Sequence, residues 1–348
     1  NELGGHMRPI SKKIMALSLT LTMTAGIFTG CGIKTDTPIL GHIFGLSSDE
    51  IFKVDSLTCS DSEYKLLFMN YVNQYKKEFG GKIDWNANVD KDTTFKDYIM
   101  EKTKNDISIK YTMAAMAESE GIKLDKDDME IVNDAAQEYY NSMSVEDKDY
   151  TGADLDTITG FYSTYYLADK VFNRVTENVE EQVSEEDARV VKIQYAKMTL
   201  GQHTEKEIRK QLNKLIKGVK KLTINFAQEA KQITEDDSVE KVLKKNEAKT
   251  VFEQEAFNVA KGHSSNIIQD GNDFYVIYCV DNYLKDETAE NKNKIIEDKK
   301  NSLFKEKYDV FVKDTSTDIN TSEWEDIVPE DVDSTSSYKL ISIYNNTK

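Results

Sequence analysis

Few side chains in this 348-residue chain are of types that carry out covalent or metal chemistry. There are three cysteines, Cys31, Cys59 and Cys279, and four scattered histidines, His6, His42, His203 and His263. None falls into a CxxC or HExxH spacing, so neither a zinc framework nor a metalloprotease helix is expected. His203 and His263 are read as solvated residues of surface turns rather than as bases. Acidic runs stand at Glu180-Glu181, Glu185-Glu186-Asp187 and Glu235-Asp236-Asp237. Their oxygens could meet calcium, but none has the alternating ligand spacing of an EF-hand loop. They are expected to be helix N-terminal charges and solvated faces instead. No cofactor and no metal are implied. Cys59 and Cys279 fall in different expected domains, which points to two buried free thiols rather than a disulfide.

The N-terminal 30 residues carry a different signal. Arg8, Lys12 and Lys13 follow Met7, the expected start, and an apolar stretch runs from Ile14 to Phe28. Residues 1–6 are read as standing upstream of that start. The stretch is short for a bilayer crossing and has the make-up of a secretory signal. It closes on Phe28-Thr29-Gly30-Cys31, which resembles a lipobox, with Phe28 where a leucine is usual. That resemblance implies diacylglycerol on Cys31, cleavage before it, and a chain lipid-anchored to the extracytoplasmic face of a cell membrane. No later stretch is apolar enough to span a membrane, so the lipid would be the sole attachment.

Composition fits a soluble body held at a surface. The chain has 45 Lys+Arg against 62 Asp+Glu, a net charge of −17. Loss of residues 1–30 removes three bases and one acid, leaving −19. No basic stripe is evident that would neutralise phosphates, which excludes nucleic acid as an expected partner. Three prolines and 16 glycines point to a largely helical body, and the length to more than one domain.

The elements follow from periodicity. After a tether at 31–50, Ile51-Phe52-Lys53-Val54 reads as a strand, and Ser60-Asp61-Ser62-Glu63 as a capping box. Tyr64, Leu67, Phe68, Tyr71, Val72, Tyr75 and Phe79 recur at three- and four-residue spacing on one helical face. Further helices are expected over 94–120, 125–143 and 154–178, with Gly121 and Gly152 as stops. Together 51–185 make a helical lobe. Its aromatic stretches 64–79 and 161–166 are mostly core, and part of that surface could form a groove for unfolded segments, since rings give contact area at little entropic cost. Near Ser184 the pattern changes. A strand is expected over 189–198, then helices at 204–217, at 225–230 and from Phe252 to a stop at Gly262. A turn at Asp270-Gly271 and a strand at 272–280 close an α+β unit of 186–285. A polar helix follows over 286–314, expected to pack on the helical lobe with Ile295, Ile296, Leu303, Phe304, Tyr308 and Phe311 along one face. Residues 315–348 read as a polar tail with one strand at 338–344.

The stretch Phe252-Glu253-Gln254-Glu255-Ala256-Phe257-Asn258-Val259-Ala260-Lys261-Gly262 is similar to a parvulin pattern, Phe-Glu-x-Ala-x-Phe-x-Leu-x-x-Gly, with Glu255-Ala256 before Phe257 as a difference of order. Phe226-Ala227-x-x-Ala230 resembles the Phe-Ala-x-x-Ala helix of the same domain. Residues from about 188 to 283 thus resemble a parvulin, a peptidyl-prolyl cis-trans isomerase. The whole layout resembles the PrsA- and SurA-type extracytoplasmic foldases, in which a helical chaperone lobe is split around an inserted parvulin. The resemblance implies an α+β fold and places Tyr195, Phe252, Phe257 and Tyr275 in the pocket.

The departures bear on chemistry. Both histidine positions of the family are tyrosine here, Tyr195 in the first strand and Tyr275 in the last. The Gly-Gly-Asp-Leu-Gly segment is replaced by residues 235–246, and Ala248 stands where a methionine is expected. Prolyl isomerisation faces a barrier of about 20 kcal/mol from lost amide resonance. An apolar pocket that desolvates and twists the amide lowers it with no nucleophile or metal. Tyrosine hydroxyls can donate and accept a hydrogen bond, but the rings are bulkier than imidazole, which suggests a disused site. The expected function is that of a membrane-anchored chaperone or foldase acting on newly secreted, unfolded polypeptides. The alternatives are an active prolyl isomerase and a surface-binding lipoprotein without chaperone action.

Overall fold

The computed structural model describes residues 46–47, 49–81, 83–320 and 325–348. Met7, the expected signal and Cys31 lie outside the described residues. The chain forms two compact units, one from the residues before Asn178 together with Asn301–Lys348, the other from Asn178–Lys300. Helices and antiparallel sheets are both present, as expected of the α+β class.

The helical unit opens with a hairpin of β1 (Glu50–Val54) and β2 (Leu57–Ser60), in which Phe52 lies opposite Cys59. Ser60 then caps α1 (Asp61–Glu78): its hydroxyl accepts from Glu63 N at 3.2 Å, and the Glu63 carboxylate accepts from Ser60 N at 2.9 Å. α2 (Phe95–Ser119), α3 (Lys126–Ser142), α4 (Val145–Thr151) and α5 (Leu155–Thr176) follow. Each opens on an oxygen-bearing cap, Thr94, Asp125, Ser144 and Asp154, which satisfies amides that a helix start leaves unpaired. The short α4 was not expected, and Gly152, at φ 61°, closes it as a left-handed cap. The apolar face read for α1 is buried, but so are Leu66, Met69, Asn70 and Asn73 on its other side. Cys59 is a buried free thiol, as expected.

In the second unit α6 (Glu185–Ala188) leads into β3 (Val190–Thr199), α7 (Glu205–Lys220), α8 (Phe226–Ala230), β4 (Glu240–Lys244), α9 (Val251–Ala256), β5 (Ile268–Asp270) and β6 (Asp273–Asp281). The antiparallel sheet has the order β4-β3-β6-β5. Strand alternation divides its side chains. Val191, Ile193 and Tyr195 pack with α9 on one face, and Ala196 and Met198 with α7 and α8 on the other. Cys279 is buried and free. Gly218 packs against Ile224 so tightly that a Cβ would lie 2.5 Å from its Cδ1.

Three expectations for this unit need correction. The sheet has two strands more than the sequence pattern indicated, β4 and β5. The third helix stops at Ala256, and Gly262, at φ 78°, instead donates its N–H to Cys279 O at 2.8 Å in the following loop. A basic stripe does exist locally: Lys206, Arg209, Lys210, Lys214, Lys217 and Lys220 are all exposed on α7, against Glu205 and Glu207.

The long polar helix is present as α10 (Lys285–Asp314), and the division between units falls within it. In its first part Thr288 accepts from Val190 N at 3.0 Å and Asn291 donates to Ala188 O at 2.9 Å. In its second part Phe304 is fully buried, its ring 5.2 Å from that of Phe172.

The last segment is not the polar tail expected. β7 (Thr317–Ile319) pairs with β1, Ile319 opposite Phe52, giving a three-stranded sheet β2-β1-β7. The expected strand at 338–344 is instead helix α11 (Leu340–Thr347), which buries Leu340, Ile341, Ile343 and Tyr344 in the same core as α1 and α5. Leu340, Ile343 and Tyr344 lie at the spacing of one helical face, and the aromatic surface of α5 selects that arrangement. Among the described residues no helix is long and apolar enough to cross a membrane.

Asp147 of α4 latches this segment. Its carboxylate, on a residue 1% exposed, accepts from the hydroxyls of Ser334, Ser336 (2.8 Å) and Ser337. Burial opposes the charge, but the serine hydroxyls outweigh it and hold the carboxyl below its ordinary value of 3.8. A depressed pKa stabilises the fold above the unfolded value and loses that contribution as pH falls through the folded one. Asp147→Ala should therefore destabilise the helical unit by about 3 kcal/mol, the worth of hydrogen bonds to a charge less their overlap. In urea titrations the gap to the parent should be full at pH 7 and shrink as the pH drops below 3.8.

Candidate functional site

Register sets the geometry of the sheet face that carries Tyr195 and Tyr275. Tyr195 of β3 lies opposite Ile277 of β6, and Lys197 opposite Tyr275. Residues two apart on a strand share a face, so Tyr195, Lys197 and Tyr275 converge there. Thr250 caps α9 through a capping box with Glu253, and this start aims Phe252 at the sheet. The Phe252 ring stacks on Tyr275 with centroids 4.4 Å apart at 24°, and meets Tyr195 at 5.3 Å and 56°. Three of the four expected site residues are thus brought together. Tyr195 and Phe252 are buried and Tyr275 is half-buried.

Phe257 stands apart. It shares the apolar cluster, but among the described residues no ring contact joins it to the trio. Its partner is Arg189, whose guanidinium lies 5.4 Å from the ring centroid and donates to Phe257 O at 2.9 Å. Cys31, the expected lipidation site, lies outside the described residues.

The polar edge of the trio was not anticipated. Tyr195 OH donates to Asp236 at 2.9 Å, and Tyr275 OH to Asp273 at 3.3 Å. Lys197 lies between these carboxylates, 3.2 Å from Asp273 and 3.7 Å from Asp236. Asp236 was read as part of a solvated acidic run, yet it is half-buried beside β3, as is Glu235, which accepts from Thr199 N at 3.0 Å. The two-residue spacing of Tyr195 and Lys197, the strand repeat, was the available signal. The position of residues 235–237 beside them is set by β4, which the pattern did not show.

Electrostatics fix the proton positions. Burial, then the hydrogen bond to Asp236, pushes the Tyr195 hydroxyl up to about 12. Burial and the Asp273 charge raise Tyr275 as well. Both hydroxyls therefore stay protonated at neutral pH and act as donors, not as bases or nucleophiles. Lys197 loses some hydration, but Asp273 and Asp236 more than offset this and raise its pKa. The amides of Lys249 and Thr250 and the Lys241 ammonium hold Glu253 down to about 2. Among the described residues no group of His, Cys, Asp and Glu could hold a metal ion. The arrangement can desolvate and stack on an apolar ring at Tyr275. It offers no free imidazole and no spare tyrosine proton.

No family model and no curated protein matches the chain. Three solved structures show partial likeness to the chain. The foldase protein PrsA from Streptococcus pneumoniae is 15% identical, with 63% of this chain and 86% of that one covered at a TM-score of 0.27. PrsA from Bacillus subtilis is 15% identical, with 62% and 85% covered at 0.24. The peptidylprolyl isomerase PrsA from Bacillus cereus is 16% identical, with 77% and 92% covered at 0.32. TM-scores this low do not establish a common fold across the chain.

Removing the ring at the centre of the trio tests its weight. Phe252→Ala should cost the second unit about 3–5 kcal/mol, as for other large-to-small changes at buried aromatic positions. Hydrogen exchange should show faster opening of β3 and β6 with α1 unchanged. Glu253→Ala should cost about 1 kcal/mol at neutral pH, from the lost capping box. That cost should be complete above 4.5, the ordinary glutamate value, and fade as pH falls toward 2, because the folded pKa is depressed. Chemical denaturation of parent and variant at pH 7 and pH 2.5 checks it.

Proposed function

We propose that the chain is a chaperone or foldase for unfolded polypeptides, lipid-anchored through Cys31 on the outer face of a membrane, with a parvulin-like unit that has lost isomerase activity. The observation that carries this reading is the layout: a helical unit drawn from both sides of an intervening α+β unit, Asn178–Lys300. That layout is the one implied by the resemblance to PrsA- and SurA-type foldases. The lipobox-like end at Cys31 supports the anchor, and the acidic balance of the chain suits a solvated body.

The loss of isomerase activity is argued from the trio. Both tyrosine hydroxyls are committed to carboxylates, and the Phe252 ring packs on both Tyr195 and Tyr275. A second reading, an active prolyl isomerase, is favoured by one observation, the half-exposed apolar ring of Tyr275 stacked on Phe252. Slow X-Pro isomerisation can limit folding, so such a unit would have work to do if active.

One pair of assays separates them. The 32–348 chain should suppress aggregation of a denatured secreted protein on dilution at near-stoichiometric amounts. On proline-containing tetrapeptides it should give no rate above that of its Phe252→Ala variant. A proline-dependent rate that falls in Phe252→Ala would replace the first reading by the second, and no effect in either assay would remove both.

A further inference from the structure

We propose that the groove of the helical unit now filled by residues 334–347 is the site that takes client polypeptide, and that this segment is a displaceable stand-in for one. The inference rests on the chaperone reading and names its binding surface.

The first observation is what α1 presents to the segment. Asn70, Asn73 and Gln74 form an amide row at helical spacing. Asn70 Oδ1 accepts from Leu340 N at 3.0 Å, Gln74 Nε2 donates to Tyr338 O at 3.3 Å, and Asn73 Nδ2 donates to Ser334 Oγ at 3.0 Å. Tyr162 of α5 donates to Leu340 O at 2.7 Å, and Lys76 to Ser334 O at 3.3 Å. Four of these five contacts read main chain, which every polypeptide carries whatever its sequence.

The second observation is that the present occupant uses only part of this capacity. Asn70 and Asn73 are fully buried, and Asn70 Nδ2, Asn73 Oδ1 and Gln74 Oε1 are buried without a partner among the described residues. Buried amides left half-satisfied are costly, and a packing built for stability alone has few of them. Another segment lying along the row could use both ends of each amide.

The third is that the occupant is weakly self-structured. α11 has eight residues and no side-chain cap at Lys339, too short to persist away from the groove. Its apolar anchorage is four side chains, Leu340, Ile341, Ile343 and Tyr344, the last stacked on Tyr162 at 5.7 Å. Displacing it requires local opening that also frees Ser334, Ser336 and Ser337 from Asp147 and Tyr344 and Lys348 from Asp169. A client segment with two or three bulky apolar residues at three- and four-residue spacing offers the same anchors, and aromatic walls accept such residues without demanding one shape.

The test uses the unaltered chain. Hydrogen exchange of the amides in 340–347 is followed with and without saturating reduced, carbamidomethylated α-lactalbumin, its binding measured in parallel by fluorescence anisotropy. Exchange in that helix should accelerate at least fivefold on client binding while β3 and β6 stay unchanged. A client that binds and leaves 340–347 protected overturns the groove proposal and leaves the chaperone reading intact. A client that does not bind removes both. In a folded Leu340→Ala/Tyr344→Ala chain, client affinity should rise at least fivefold, and an unchanged or lower affinity counts against displacement. Should that variant unfold, the exchange experiment on the parent decides alone.

Discussion

The helical unit depends on burying α1 from every side although its sequence is apolar on one. Tyr64, Leu67, Phe68, Val72 and Tyr75 find partners among neighbouring helices, while the opposite side carries Asn70, Asn73 and Gln74. Amides enter a core at a high cost unless some of their hydrogen bonds are met, and a helix facing them would offer no free main-chain groups. A segment outside regular structure, or at the open start of a helix, does. The 334–340 stretch supplies such groups, and Leu340 N reaches Asn70 from 270 positions along the chain. That need explains why the unit is assembled from two runs of sequence. Closure entropy grows only slowly with loop length, so a folded unit of 178–300 can stand between the runs at modest cost.

What was legible in the sequence follows from whether the signal was local. α1, α2, α3 and α5 carry their own periodicity and caps and α10 its own periodicity, and all stand within a few residues of the expected bounds. β3 and β6 were legible through β-branched and aromatic alternation, and their hairpin partner turn through Asp270-Gly271. β4 was not, because as an edge strand it buries only Leu243 and leaves Val242 exposed. The short α4 hid behind its polar composition, though Ser144 and Asp147 form a capping box that could have revealed it. Residues 338–344 fit both a two-residue and a helical repeat. The aromatic surface they meet settled the matter, and that surface is remote in sequence.

The candidate site shows the same limit. Family resemblance located Tyr195, Phe252 and Tyr275, and strand register explains why they meet. Nothing local announced Asp236 or Asp273, because their roles arise from where β4 and the β5–β6 hairpin place them. Phe257 shows the converse: a residue that fits the pattern but serves Arg189 and the core.

Two phenols limit what the protons on this sheet face can do. A neutral imidazole both donates and accepts, so a pair of them can shift a hydrogen bond as a nearby amide twists. Here each phenol is held as a donor to an anion, and Lys197 fixes the anions in turn. Such a network is stiffer, and moving either proton would leave a half-buried carboxylate short of a partner. Tight organisation of this kind favours a closed sheet face. Recognition by main-chain contacts in the α1 groove needs no proline and no moving proton. The aromatic trio and the α1 amide row draw on different residues in different units, so a change in one need not disturb the other.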